Sequence, residues 1–554
     1  SIINKNRGMK LFSAFMANYK SISQNKLLLG YLIIAFTFFV VLQVNYNKNH
    51  LDRYHPDEFH TVYLTLNSIQ SGEISNFRAL EGTRWLVRAF YPGALIGMNK
   101  KMGGNVKNDS WGYPGHNYIS KNYEDSREDL QDPNVRDFFY YLRLQNVLFA
   151  FLSLLMLIIY CWKEKHTHAI ILLSIFIGIN IFFMREKSVV YIETSLFAVT
   201  NILVLFYFYI LKIKRISFFL VLVASFLSAF ILSIKFSSVF FIFILFMLIL
   251  YKERKNTERI IFHLATYSIS FLLFFRIINK YLFSSNESLS KGTHQFFSNF
   301  WKYSTGSKTL DQGFYSNFVN MLDVFNASLG LLTYLLPFIF LGGFIYSKKK
   351  ERLKYGAILA VILLTVFSIL AQKEYYDRNF ISILGVLLLL VGISIEKIIK
   401  GLLNKKAVLL KFKPYLLTIT YLLIVIGIII HHGGVNNFYS TVFPSAKHNI
   451  VDKINSLNKS GNKTMVLIDF PEEDLNHKNK IKTLNSFPIV TSDNFVNTIA
   501  RLKKQISKKD LIVVNRVGNN KQYTNYLLPK MFKHNYQYGN YFVFYNKKQE
   551  INVN

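Results

Sequence analysis

Acidic residues and cysteine are in short supply in this chain. Of its 554 residues only 32 are Asp or Glu against 65 Lys or Arg, a formal net charge of +33. The one cysteine, Cys161, rules out an intrachain disulfide and leaves the redox compartment unread. Its plain role is that of a small buried hydrophobe. No glycine-rich phosphate loop follows a strand-like run, which disfavours an ATP or cytosolic nucleotide-sugar site. No internal repeat of the inverted-transporter kind is visible. No small-residue cleavage pattern follows the first apolar stretch, Leu27 to Val44, so it reads as a retained signal anchor.

Apolar residues are plentiful. The chain is 51% hydrophobic and 16% aromatic, with a mean hydropathy of +0.24, too apolar for a soluble protein of this size. The charge of +33 would suggest nucleic acid in a soluble protein. Here the basic residues sit in short runs between long apolar stretches, where they hold loops on the cytoplasmic side and touch membrane lipids. A nucleic-acid partner is therefore not expected.

A bilayer core needs about 18 to 25 apolar residues per helical span. Segments near 27–44, 138–162, 167–184, 190–211, 216–234, 236–251, 258–282, 327–346, 354–371, 380–399 and 413–431 satisfy this and predict about eleven spans. With a cytoplasmic N-terminus every short inside loop is basic: Lys163 to Lys165, Lys212 to Arg215, Lys252 to Arg259, Lys348 to Lys354 and Lys397 to Lys406. Three larger pieces then lie outside: 45–137, 283–326 and the tail after His431. The expected organisation is a transmembrane unit over 1–432 and an extracytoplasmic α/β domain over 433–554. The tail's β-rich runs are Thr464 to Phe470, Asp510 to Asn515 and Tyr541 to Asn546. The first outer loop is apolar and aromatic around Phe59 to Ile69 and Trp85 to Met98, as in helices lying along a membrane surface.

The segment Tyr54-His55-Pro56-Asp57-Glu58-Phe59-His60 begins about ten residues past the first span and places two adjacent carboxylates near the membrane. Asp57 suits a general base that takes the proton from an acceptor hydroxyl. The set His55, Asp57, Glu58 and His60 also suits a divalent cation. Pro56-Asp57-Glu58 equally fits an ordinary helix start.

At this point the chain resembles the GT-C superfamily of membrane glycosyltransferases, which includes protein O-mannosyltransferases, the lipid A aminoarabinose transferase and GPI mannosyltransferases. Its members carry an acidic pair, often His-Pro-Asp-Glu, early in the first extracytoplasmic loop, where Tyr54-His55-Pro56-Asp57-Glu58 stands. The resemblance implies that Asp57 is the catalytic base and that Glu58 supports it or faces a metal or the acceptor. It also matches Glu193, in Tyr191-Ile192-Glu193, to a second acidic residue at the outer start of a later span, an acceptor-orienting position. A salt bridge from Glu193 to Arg185 or Lys187 is the competing reading.

A lipid phosphate must be held by fixed cations that also stabilise the leaving group. Arg84 and Arg88 share one helical face beside Trp85; headgroup anchoring is the alternative. Lys235, in Ser233-Ile234-Lys235-Phe236, resembles a Thr-Lys-Tyr-like segment of the superfamily. Arg378 resembles an Arg-Tyr or Arg-Phe segment before a late helix, although Asn379 intervenes before Phe380. Arg143, one turn into the second span, should face the protein interior.

The resemblance thus implies an α-helical polytopic membrane enzyme, and the Lys/Asn/Ile-rich composition suggests a bacterial inner or plasma membrane. Such an enzyme moves a hexosyl or pentosyl group from a polyprenyl-phosphate donor to a glycan, lipid or protein hydroxyl, with inversion. No cofactor is required by this reading apart from the open question of a divalent cation. A flippase of lipid-linked glycans and an oligosaccharide transferase or polymerase of related architecture are the alternatives.

Overall fold

In a membrane, backbone N–H and C=O groups find no water, so an apolar run must satisfy them within itself and becomes a helix. The computed structural model of the chain describes residues 133–179, 192–235, 238–279, 313–371, 377–403 and 421–431, with scattered positions between 30 and 43 and at 85. In the C-terminal part it describes 464–467, 481–484, 500, 504, 511–515, 528–538 and 541–545.

The helices are α1 (Pro133–Lys163), α2 (Thr167–Ile179), α3 (Ile192–Lys212), α4 (Phe218–Ile234), α5 (Val239–Glu253) and α6 (Thr257–Ile278). There follow α7 (Gly313–Leu329), α8 (Leu336–Tyr346), α9 (Lys349–Leu370), α10 (Ile381–Leu403) and α11 (Tyr421–His431). Among the described residues six stretches are long and apolar enough to cross a membrane: Phe139–Lys163, Glu193–Lys212, Thr257–Ile278, Asn317–Tyr346, Glu351–Leu370 and Arg378–Leu402. The chain is a polytopic helical membrane protein. Of the other expected spans, α2, α4, α5 and α11 are described over fewer residues than a full crossing needs, and 27–44 is described only at scattered positions.

One expected boundary is corrected. The hydropathy pattern places residues 313–326 in an outer loop, yet α7 starts at Gly313 and runs into the expected span. Its polar residues masked the helical spacing of Phe314, Phe318, Met321, Leu322 and Phe325. The chain then tightens into a 3-10 turn over Gly330–Leu335 before α8. Gly330 has φ +55, and a Cβ there would stand 2.9 Å from the Ile424 carbonyl of α11. Glycine is the residue that meets both conditions.

The core is organised around α10, where every residue from Asn379 to Ile393 is buried. It packs against α2, α3 and α8. Lipid gives apolar side chains little reason to prefer each other, so close backbone approach matters. At Gly392 an added Cβ would lie 2.3 Å from Ala169 Cα on α2. Polar side chains add cross-links: Asn201 donates to Ser153 at 3.1 Å, Tyr267 to Ser228 at 2.7 Å, and Asn317 to the Leu370 carbonyl at 3.0 Å.

The basic loops meet at one end of the bundle. Lys212 pairs with Glu164, Lys397 with Glu351 at 2.6 Å, and His166 Nδ1 with Glu396 at 3.1 Å. Lys252 donates to the Leu211 and Ile213 carbonyls at 2.8 and 2.6 Å, capping the C-terminal end of α3, where a cation meets the negative pole of the helix. Their convergence fits the common side that the positive-inside pattern requires of them.

The C-terminal residues form a five-stranded mixed sheet of order β2-β1-β3-β5-β4. Its strands are β1 (Thr464–Leu467), β2 (Ile481–Leu484), β3 (Leu511–Asn515), β4 (His534–Tyr538) and β5 (Tyr541–Tyr545). β1 pairs in parallel with β2 and β3, and β5 runs antiparallel to β3 and β4. The three apolar runs seen in the sequence contain β1, β3 and β5, the inner strands. The edge strands β2 and β4 read Ile-Lys-Thr-Leu and His-Asn-Tyr-Gln-Tyr. Their polarity suits a sheet edge and hides them from a search for apolar runs.

Candidate functional site

At the end of the bundle opposite the basic loops, three helix ends bring charged residues together. Glu193 stands in the first turn of α3, where the positive pole of the helix favours a carboxylate. Lys235 is the C-cap of α4, where the negative pole favours a cation. Arg378 and Asn379 lie in the 3-10 turn Asp377–Phe380 that leads into α10. Along α3 the distance from Glu193 to Lys212 at the basic end is about 28 Å, at about 1.5 Å per residue.

Lys235 Nζ donates to Glu193 Oε1 at 2.9 Å and to Asn379 Oδ1 at 2.7 Å. Arg378 Nε stands 3.5 Å from the same Oε1 of Glu193. The Glu193 side chain is 7% exposed, whereas Arg378 and Lys235 are 18% and 25% exposed. The carboxylate is therefore interior and the cations reach partly into the open. Among the described residues two cations face this one carboxylate, an arrangement that suits an anion.

The local backbone is held firmly. Ser238 Oγ donates to the carbonyls of Lys235 at 2.6 Å and Ile231 at 2.9 Å, closing the turn after α4. Below it, Asn279 at the end of α6 donates to Ser233 Oγ at 2.6 Å. Ser382 Oγ donates to the Asn379 carbonyl at 3.1 Å, and Phe380 packs edge-on against Phe325 at 5.6 Å. These contacts set the direction of Lys235 and Arg378 before any ligand arrives.

Three residues singled out separately in the sequence, Glu193, Lys235 and Arg378, thus meet. Lys235 and Arg378 both face the Glu193 carboxylate; Arg185 and Lys187, its partners in the competing reading, lie outside the described residues. Asn379, taken in the sequence only as an interruption of a motif, is the second acceptor for Lys235. Arg143 is 2% exposed, inward-facing as expected. His55, Asp57, Glu58, His60, Arg84 and Arg88 lie outside the described residues. Among those described, no group of three or more His, Cys, Asp or Glu side chains could hold a metal ion.

No family model matches the chain, and no curated protein matches it. Among solved structures the chain is similar to the crystal structure of ArnT from Cupriavidus metallidurans bound to undecaprenyl phosphate. The sequences are 12% identical, and the match covers 94% of this chain and 98% of that one. The TM-score is 0.45, a superposition too loose to carry an inference about function.

Proposed function

We propose that the protein is a glycosyltransferase that moves a hexosyl or pentosyl group from a polyprenyl-phosphate donor to an acceptor hydroxyl on the extracytoplasmic face. The observation that supports this most is the meeting of Glu193, Lys235, Arg378 and Asn379 at one bundle end, where two cations stand beside one carboxylate. Beside it stands the sequence resemblance carried by Tyr54-His55-Pro56-Asp57-Glu58.

In this reading Lys235 and Arg378, helped by Arg84 and Arg88, hold the donor phosphate. Glu193 positions the two cations rather than serving as base, because its carboxylate already accepts from Lys235. Asp57 takes the proton of the acceptor hydroxyl while that oxygen bonds to the anomeric carbon, and Glu58 supports it. The bond from the anomeric carbon to the phosphate oxygen breaks, and the lipid phosphate leaves with the electron pair. Attack opposite the leaving group inverts the anomeric centre. The charge gathering on the departing phosphate is what fixed cations stabilise. The sheet formed by β1 to β5 belongs, in this reading, to an extracytoplasmic α/β domain over 433–554.

Transfer of labelled sugar from a panel of polyprenyl-phosphate sugars, in detergent and with and without chelator, tests the proposal. Wild type should transfer, Asp57→Asn should fall by about 10²- to 10⁴-fold, and Lys235→Met by roughly 10²-fold. Full activity in correctly folded Asp57→Asn would overturn the assignment of the base. Donor binding with no turnover by wild type would favour a flippase of lipid-linked glycans.

A further inference from the structure

A second charged place lies at the basic-loop end, about one α3 length away from the cluster just described. It is a cleft of about 940 Å³ between the C-terminal ends of α3 and α5 and the start of α9, within the range of about 300–1,000 Å³ typical of small-molecule sites. Six cationic side chains line it against two carboxylates, Glu164 and Glu351.

Both carboxylates are already engaged, Glu164 by Lys212 and Glu351 by Lys397. Most of the cations have partners too. Lys252 caps the α3 carbonyls, Arg254 lies over the Tyr251 ring at 4.5 Å, and Lys354 donates to Tyr160 at 2.9 Å. Lys214 and Lys255 are exposed and make no such contact among the described residues. The mouth therefore carries uncompensated positive charge in two flexible side chains.

The walls are of the opposite kind. Phe243 and Met247 of α5 line the cleft and are 56% and 58% exposed, and Ala357 and Val361 of α9 face it as well. In a chain that crosses the bilayer, such a wall is met by lipid tails. Lys214 and Lys255 stand just past the ends of α3 and α5, where basic residues flanking apolar helices meet lipid headgroups.

We propose that this cleft binds one anionic glycerophospholipid, its headgroup phosphate between Lys214 and Lys255 and an acyl chain along Phe243 and Met247. The charge at the mouth selects the anionic headgroup and the apolar wall selects a bilayer occupant over a soluble phosphate. The site stands whether or not the protein is a glycosyltransferase.

Native mass spectrometry of the full chain in detergent, titrated with phosphatidylglycerol or phosphatidylcholine, provides the test. Wild type should retain phosphatidylglycerol roughly tenfold more tightly than phosphatidylcholine. The double variant Lys214→Ala/Lys255→Ala should bring the two lipids level, and both substitutions are at exposed positions that the fold tolerates. The double variant Lys348→Ala/Lys349→Ala removes the same charge from exposed positions outside the cleft and should keep the preference. Equal retention of both lipids by wild type, equal losses in the two double variants, or displacement of phosphatidylglycerol by millimolar inorganic phosphate would each overturn the proposal.

Discussion

Replacing Lys235 by methionine keeps the unbranched apolar stem and removes the ammonium group, so it tests chiefly the electrostatics of the Glu193 cluster. Lys235 makes two hydrogen bonds, one to a carboxylate at 2.9 Å and one to an amide oxygen at 2.7 Å. Bonds to charged groups contribute about 1.5 to 3 kcal/mol each. Lys235 is 25% exposed, so water takes over part of its role, and Arg378 remains at 3.5 Å from the carboxylate. The expected loss is about 2 kcal/mol, below the roughly 3–5 kcal/mol seen when a fully buried pair is broken. Glu193→Gln should cost a similar amount by leaving two cations facing each other. The double variant should cost about 1–2 kcal/mol less than the sum of the single ones, since it leaves neither charge of the pair stranded. Unfolding in mixed detergent and SDS micelles, followed by far-UV circular dichroism, gives all three values. Additivity to within about 0.5 kcal/mol would refute the coupling.

Three further outcomes follow from the geometry. Gly392→Val should destabilise the bundle by about 1–3 kcal/mol, read in the same unfolding assay, because its side chain meets the Ala169 backbone of α2. Cys161 is fully buried, so a maleimide should label the folded protein far more slowly than the SDS-unfolded one; equal rates would contradict the packing of α1. Burial raises the Glu164 carboxyl, but the hydrogen bond and charge of Lys212, with smaller help from Lys354 and His166, outweigh it and hold the group below the usual carboxylate range. A depressed acid stabilises the fold above its unfolded pKa and loses that contribution as pH falls through its folded value. Glu164→Gln should therefore flatten the acid side of a thermal-stability profile and lower stability slightly at neutral pH.

The site was partly legible. Glu193, Lys235 and Arg378 drew notice one at a time because a charge beside an apolar run is expensive unless it has a purpose. Asn379 was passed over, since an uncharged amide carries no such cost signal. The start of α7 was missed because Ser316, Asn317, Asn320, Asp323 and Asn326 diluted its hydrophobicity. Its helical spacing remains visible once the residues are read three and four apart. The strands β2 and β4 were missed for the related reason that edge strands do not need apolar faces.

What the amino-acid sequence determined by itself was membrane insertion, the approximate position of the helices and the common side of the basic loops. These follow from one-dimensional properties: the length of apolar runs and the placement of lysine and arginine between them. What only the tertiary structure decided was which helix ends meet. Lys235 and Asn379 are 144 residues apart in sequence, and nothing local makes the end of α4 a neighbour of the start of α10. That neighbourhood is set by the packing of α10 against its surrounding helices, where close contacts such as Gly392 on Ala169 choose one arrangement among many that satisfy the same hydrophobic pattern.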